Sequence, residues 1–348
     1  MKKKKKSFSG LIKERHKKER LMFLAGDIGG TKSRLALFTY DKEIKIIKEE
    51  RFQSDNFTSL NAVLRKFLSG QKEKIEAACF GLPGPVREGR CQTTNLPWII
   101  VADELAEDLQ AEVFLINDLV SNAYGIERLS DNELYVLNEG IPNQAGNAAL
   151  ISAGTGLGQA GLFWDGKRHI PFACEGGHSD FGAKDELEIE LLRYLQRKYG
   201  HVSFERMVSG PGLHNIYQFL VDTMRELRLH SIEMLFLKGD PGRVITEKAM
   251  NSEVRGCEMA LELFISLYGA EAGNLALKIF AINGIFLGGG MAPRILEKLK
   301  EGSFMRTFAD KGRFSSLMKT IPVKVIMNPR TALLGAEQYL ILKKEGKV

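Results

Sequence analysis

Apolar and polar positions along this chain change their period repeatedly, and each change marks an element. Leu21–Gly26 is an unbroken apolar run, the pattern of a strand covered on both faces. A turn, Asp27-Ile28-Gly29-Gly30-Thr31, follows, and Ser33–Tyr40 resumes the apolar run. Glu43–Phe52 alternates weakly, as a third strand would. In Phe57–Ser69, residues Leu60, Val63, Leu64, Phe67 and Leu68 recur at helical spacing, with Gly70 as a stop. Ile75–Gly81 and Val113–Ile116 read as short buried strands, and Ala102–Gln110 as a helix before the second. This order predicts an open mixed sheet flanked by helices.

A weaker echo begins at Ala148. Ala148–Ala153 is an apolar strand, Gly154-Thr155-Gly156-Leu157-Gly158 a glycine turn, and Ala160–Trp164 and His169–Ala173 two strands joined through Asp165-Gly166, a hairpin signal. Lys184–Tyr199 and Cys257–Phe280 are long helices. Gly284–Leu287 is a strand that runs into Gly288-Gly289-Gly290, followed by a helix, Pro293–Lys300, with proline at its start. Val323–Met327 and Thr331–Lys344 supply a last strand and helix. Two halves that each begin strand, glycine turn, strand predict a duplicated α/β architecture with a cleft between.

Composition narrows the class. Of 348 residues, 44% are apolar and 26% charged, which excludes wholesale disorder, and no apolar run is long enough to span a bilayer. Cys79, Cys91, Cys174 and Cys257 are widely separated, so neither a disulfide framework nor a cysteine zinc cluster is expected, and a reducing cytoplasm fits. The net charge of +6 belongs to one segment: residues 1–20 carry +8, leaving −2 for the rest. That segment reads as a solvated, disordered extension, with an anionic surface or nucleic acid as the alternative contact. No apolar stretch follows its lysines, so a signal peptide is not expected.

Three glycine loops could hold an anion. In Asp27-Ile28-Gly29-Gly30-Thr31-Lys32, bare glycines let successive N–H groups face a phosphate, and Asp27 at the strand end could hold a divalent ion; a plain hairpin turn is the alternative. Walker A spacing is absent. Gly156–Gly161 matches G-x-G-x-x-G, but a hairpin follows it where a dinucleotide site needs a helix, so an oxidoreductase is not expected. Gly154-Thr155-Gly156 suits a second phosphate turn, and Gly288-Gly289 suits a base or ribose. Asn117-Asp118 ends a strand, Glu175-Gly176-Gly177-His178 opens a loop, and Glu205 precedes Ser209-Gly210-Pro211-Gly212. Carboxylates, amides and imidazoles of this kind recognise a polyhydroxyl ligand. A metal site from His178, Glu175 and Glu205 lacks a second well-spaced His or Cys.

The runs LAGDIGGTKSRLALF, FLINDLVSNAYGI, SAGTGLGQA, CEGGHSDFG, HVSFERMVSGPGL, FLGGGMAPRIL and KGRF (Lys311–Phe314) together resemble bacterial ATP-dependent glucokinase, of the hexokinase-like branch of the superfamily that contains sugar kinases, actin and the large heat-shock chaperones. The resemblance spans residues 21–340. It implies a two-domain actin-like ATPase fold with duplicated ribonuclease-H-like sheets, divided as 21–128 plus 326–348 and 129–325. It implies phosphorylation of glucose at O6 by MgATP, the entry step of glycolysis, with a homodimer and no nucleic-acid or membrane partner. Under it Asp118 is the general base. Asn95, Asn117, Asp118, Glu175, His178 and Glu205 bind sugar. Asp27, Gly29, Gly30, Thr31, Gly154, Thr155 and Gly156 hold phosphates, Gly288 and Gly289 the adenosine, and Asp27 also Mg²⁺. The zinc motif of the related repressor-and-kinase family is absent. Another hexose kinase of this fold, or a sugar-sensing regulator that keeps it, is the alternative.

Overall fold

The structure, a computed structural model, describes residues 21–348. Residues 1–20, and with them the expected basic tail, lie outside the described residues. The chain forms two compact units, one running to Leu129 and resuming at Arg330–Val348, the other Ser130–Pro329.

The first unit is built on β1 (Met22–Ile28), β2 (Lys32–Asp41), β3 (Glu43–Gln53) and β4 (Ile75–Leu82). Three short strands, β5 (Val86–Arg87), β6 (Arg90–Gln92) and β7 (Ile99–Val101), form a small side sheet, and β8 (Glu112–Asn117) completes the main one. Its order is β3-β2-β1-β4-β8. β1–β2 and β2–β3 pair antiparallel, whereas β1–β4 and β4–β8 pair parallel. The second unit contains β9 (Leu134–Asn138), β10 (Ala148–Ala153), β11 (Leu157–Trp164), β12 (His169–Cys174), β13 (Gly284–Gly288) and β14 (Val323–Ile326), in the order β12-β11-β10-β13-β14-β9. Again two antiparallel pairs lie on one side of the leading strand and two parallel pairs on the other. Strand order and strand sense therefore repeat in full, and β9 is an added antiparallel strand beside β14. This is the duplicated architecture that the two glycine-turn halves predict.

Both faces of the first sheet are buried, which is why β1 reads as a continuous apolar run. Leu24 and Met22 enter one core with Leu35, Phe67, Phe80 and Trp98, while Phe23 and Ala25 enter another with Phe38, Tyr124, Leu333 and Leu340. The second core is closed by two crossing helices, Asp118–Ile126 and Thr331–Lys344. They approach until backbone meets backbone: a side-chain carbon on Gly335 would lie 2.6 Å from the Ser121 carbonyl carbon, and one on Gly125 2.8 Å from that of Thr331. Ser121 Oγ donates to the Ala332 carbonyl at 2.7 Å, locking the crossing. In the second unit the helices Gly210–Thr223, Pro241–Met250, Arg255–Ile279 and Ser303–Ala309 bury a larger core against β10, β13 and β14.

Several elements differ from the sequence expectation. The helix expected over 57–69 is Leu60–Phe67, because Ser59 caps it by accepting from the Ala62 N–H. The glycine turn at 154–158 is shorter, since Leu157 and Gly158 already pair with Ala153 and Ser152. The helix expected from Pro293 divides into Met291–Arg294 and Leu296–Lys300. Helix Asp118–Ile126 has no counterpart in the sequence reading. Among the described residues no helix is long and apolar enough to cross a membrane.

Candidate active site

In each sheet the candidate residues gather at the carboxyl ends of the parallel strands, the edge where open α/β sheets present reacting groups. In the first unit β1 ends at Asp27-Ile28, β4 at Leu82 and β8 at Asn117, all on one edge. Asp27 lies opposite Gly81 in the β1–β4 ladder. Burial raises its carboxyl to about 6, with Arg51 opposing. The β1–β2 turn closes through the Gly29 N–H donating to the Lys32 carbonyl at 2.9 Å. Ser54 braces it from behind: its hydroxyl donates to the Gly29 carbonyl at 2.8 Å, and its N–H to that of Thr31 at 2.9 Å. Asn95 lies directly against Gly30, where a side-chain carbon would come within 2.6 Å of the Asn95 Cβ. The Asn95 loop is itself pinned by Thr93, whose hydroxyl donates to the Leu96 carbonyl at 2.8 Å.

Asn117 and Asp118 stand where β8 becomes a helix. The Asn117 side-chain Oδ1 caps that helix, accepting from the N–H groups of Leu119 at 3.0 Å and Val120 at 3.3 Å. Its Nδ2 donates to the Gly84 carbonyl at 3.3 Å. Asp118 Oδ1 accepts from the Leu119 N–H at 2.9 Å, so the carboxylate is fixed at the positive end of the helix. Beside it, burial and the Asp118 charge push the Cys91 thiol up.

In the second unit β10 and β13 are parallel neighbours whose carboxyl ends are Ala153 and Gly288. Gly289 adopts φ +79°, a conformation glycine takes freely, and abuts the Ala153 carbonyl and Ser152. The Gly154–Gly156 and Gly288–Gly289 loops are therefore side by side. Gly154 N–H donates to the Gly156 carbonyl at 2.9 Å, and the Gly154 carbonyl accepts from Gly210 N–H at 2.8 Å. Glu205 Oε2 accepts from Leu157 N–H at 2.9 Å and reaches the position a Gly156 side chain would fill. The His178 Nδ1 lies 3.9 Å from Glu205 Oε1. The Glu175–His178 turn follows β12 and is closed by the His178 N–H donating to the Glu175 carbonyl at 3.0 Å.

The first unit thus unites Asp27, Gly29–Thr31 and Asn95, and separately Asn117 with Asp118. The second unites Gly154–Gly156, Glu175, His178, Glu205 and Gly288–Gly289. In the G-x-G-x-x-G match at 156–161, Gly156 ends the β10–β11 turn and the other residues lie on β11, the first strand of a hairpin with β12 that closes at Trp164 and His169. The match opens no helix and makes no dinucleotide site. Ser54, Ser33 (hydroxyls 2.9 Å apart), Ser209 and Gln159 support these loops; Ser33, Ser209 and Gln159 lie within the sequence motifs without having been assigned a role, and Ser54 lies in none of them. Among the described residues no cluster of three or more His, Cys, Asp or Glu could hold a metal alone.

Two duplicated sheets, each with glycine turns and polar groups at the carboxyl edge, define the actin-like ATPase fold, to which sugar kinases belong. Residues 24–343 match the glucokinase family. A glucokinase of Trichormus variabilis is 40% identical, over 90% of this chain and 97% of that one. The crystal structure of a glucokinase from an Antarctic psychrotroph superposes with a TM-score of 0.79 at 31% identity, covering 93% of this chain and 99% of the other. A glucokinase of Balamuthia mandrillaris, solved with glucose, shares the fold at 23% identity with a TM-score of 0.78, covering 94% of this chain and 96% of the other. The chain belongs to the glucokinase family, and its reaction is the ATP-dependent phosphorylation of glucose.

Proposed function

We propose that Asp118 is the general base of this reaction and that the grouped residues bind its substrates. Asn95, Glu175, His178 and Glu205 take the glucose hydroxyls. Asn117 seats Asp118, and its 3.3 Å bond to Gly84 is the one a sugar hydroxyl would replace. The Gly29–Thr31 and Gly154–Gly156 turns hold the phosphates of ATP through the N–H groups of Gly30, Thr31, Thr155 and Gly156, those of Gly29 and Gly154 being used to close the turns, and Gly288–Gly289 takes the adenosine. Asp27 is a lone carboxylate of raised pKa, with Arg51 opposing. That donor set fits Mg²⁺ arriving on the nucleotide, which usually binds one or two carboxylates plus substrate phosphates. Magnesium would supply charge neutralisation on the transferring phosphoryl group.

The chemistry follows from the Asp118 position. The glucose O6 forms a bond to the γ-phosphorus while the bond from that phosphorus to its bridging oxygen breaks, releasing ADP. The O6 proton passes to the Asp118 carboxylate. Because such transition states are loose, orientation of O6 and stabilisation of charge by the glycine loops contribute more than basicity alone. The observation that carries the reading is the Asn117 cap, which fixes Asp118 at a helix start on the strand edge. The test is a coupled assay of ADP release across a panel of hexoses, repeated with His178→Ala. Glucose should be the preferred acceptor, and the variant should raise glucose KM about 10-fold or more with ATP KM little changed. An unchanged glucose KM would remove His178 from the sugar site.

A further inference from the structure

The Lys311–Phe314 segment takes no part in the site described above, yet its lysine is tied to it through the interior of the second unit. Glu271 is fully buried in the helix Arg255–Ile279, and such a group is tolerated only where its oxygens are satisfied. One oxygen accepts from Gln159 Nε2 at 2.7 Å and the other from Asn274 Nδ2 at 3.0 Å. Asn274 Oδ1 in turn accepts from Lys311 Nζ at 2.8 Å, and the same ammonium donates to the Ala270 carbonyl at 2.9 Å. The Lys311 stem lies flat against the helix, because Gly273 offers no side chain there.

The other end of this chain of bonds is the Glu175–His178 turn. Gln159, only 2% exposed, sits on β11 directly across the ladder from Cys174, one residue before Glu175. Since its Nε2 is spent on Glu271, its Oε1 is held pointing the other way, and it occupies the space a Gly176 side chain would need. The backbone of the turn therefore rests on a carboxamide whose orientation is set by Glu271, and Glu271 is set by Asn274 and Lys311.

We propose that Gln159, Glu271, Asn274 and Lys311 are a positioning chain that fixes the height and register of the turn carrying Glu175 and His178. This assigns the Lys311–Phe314 motif a role in glucose affinity, exerted through the turn and without contact to the sugar. The proposal rests on the sugar-site reading given above. Gln159→Met, which keeps the volume and loses the amide, should raise glucose KM about 5–10-fold with ATP KM almost unchanged, and should also lower the unliganded melting temperature, because one buried Glu271 oxygen loses its donor. The split between the two KM values is the readout that a merely structural role would not produce. Lys311→Met should move glucose KM the same way, and Lys311→Arg should recover part of the loss. In the Gln159→Met/His178→Ala double variant, glucose KM should rise by less than the product of the two single effects, since both act through one turn, with Glu175 retaining part of the dependence on Gln159. A wild-type glucose KM in Gln159→Met, or effects that multiply in the double variant, would overturn the chain while leaving the sugar site intact. A wild-type glucose KM in His178→Ala would overturn both readings.

Discussion

Replacing Gly335 by Ala sets two known effects against each other in the helix that supports Asp118. In an ordinary helix interior the change gains about 1 kcal/mol from propensity. Here the new carbon would overlap the Ser121 carbonyl group, 2.6 Å from its carbon and closer still to its oxygen, where ordinary contact begins at 3.4 Å, so the helices must part by well over the roughly 0.8 Å that the carbon alone requires. Overpacking of this kind costs roughly 1–3 kcal/mol, and loss of the Ser121–Ala332 hydrogen bond adds about 1 kcal/mol. The clash wins, and a net loss of about 2 kcal/mol should lower the melting temperature by roughly 4–8 °C. Ser121 is one turn from Asp118, so kcat should also fall, by up to about 100-fold if the base moves near 1 Å. Thermal melts and steady-state kinetics on one preparation read both effects. Gly239→Ala is the control, because nothing lies within 4 Å of a side-chain carbon there, and it should be neutral or slightly stabilising. A Gly335→Ala enzyme as stable and as fast as the parent would refute the claim that this crossing seats Asp118, the proposed base.

Glu337, buried in the same helix, has its carboxyl pushed up to about 7, chiefly by burial, with Arg128 and Arg330 opposing and Glu49 reinforcing. The folded state then holds this proton more tightly than the unfolded chain. Stability from this group is full below pH 4.5 and lost as pH rises through 7, by up to about 3 kcal/mol, and Glu337→Gln should flatten that part of the melting profile. Removing residues 1–20 should leave kcat and both KM values within about twofold, because every candidate contact lies at Asp27 or later. Kinetics of the truncated chain check this. Gly156→Ala should displace Glu205, which occupies the space of that side chain, and raise both glucose and ATP KM about 10-fold, measurable by varying each substrate in turn.

The sheets were legible in the sequence because burial on both faces writes itself as short apolar runs such as Leu21–Gly26 and Ala148–Ala153, each broken by glycine. Terminal helix Thr331–Lys344 was legible to the residue. Helix Asp118–Ile126 was not: Asn117 looks like chemistry at a strand end, and its capping role appears only when the Leu119 and Val120 N–H groups are seen to point at it. Gly125 also reads as a breaker, although it is there for the crossing with Thr331. The glycine loops stand out by composition, whereas their supports do not. Ser54 lies 25 residues from Gly29, and Gln159 lies 112 residues from Glu271, separations at which no periodicity carries a signal.

The measurement that bears most directly on the account is the turnover of Asp118→Asn with glucose and ATP, taken with its melting temperature and the shift glucose induces. Asparagine keeps the size of the side chain and one oxygen to accept from the Leu119 N–H, and it removes the basicity. The account predicts a folded protein that is still stabilised by glucose, with kcat lower by about 10²–10⁴-fold and ATP KM nearly unchanged. A near-normal kcat with a lowered melting temperature would contradict it, and would make Asp118 a helix-start residue with no part in proton transfer.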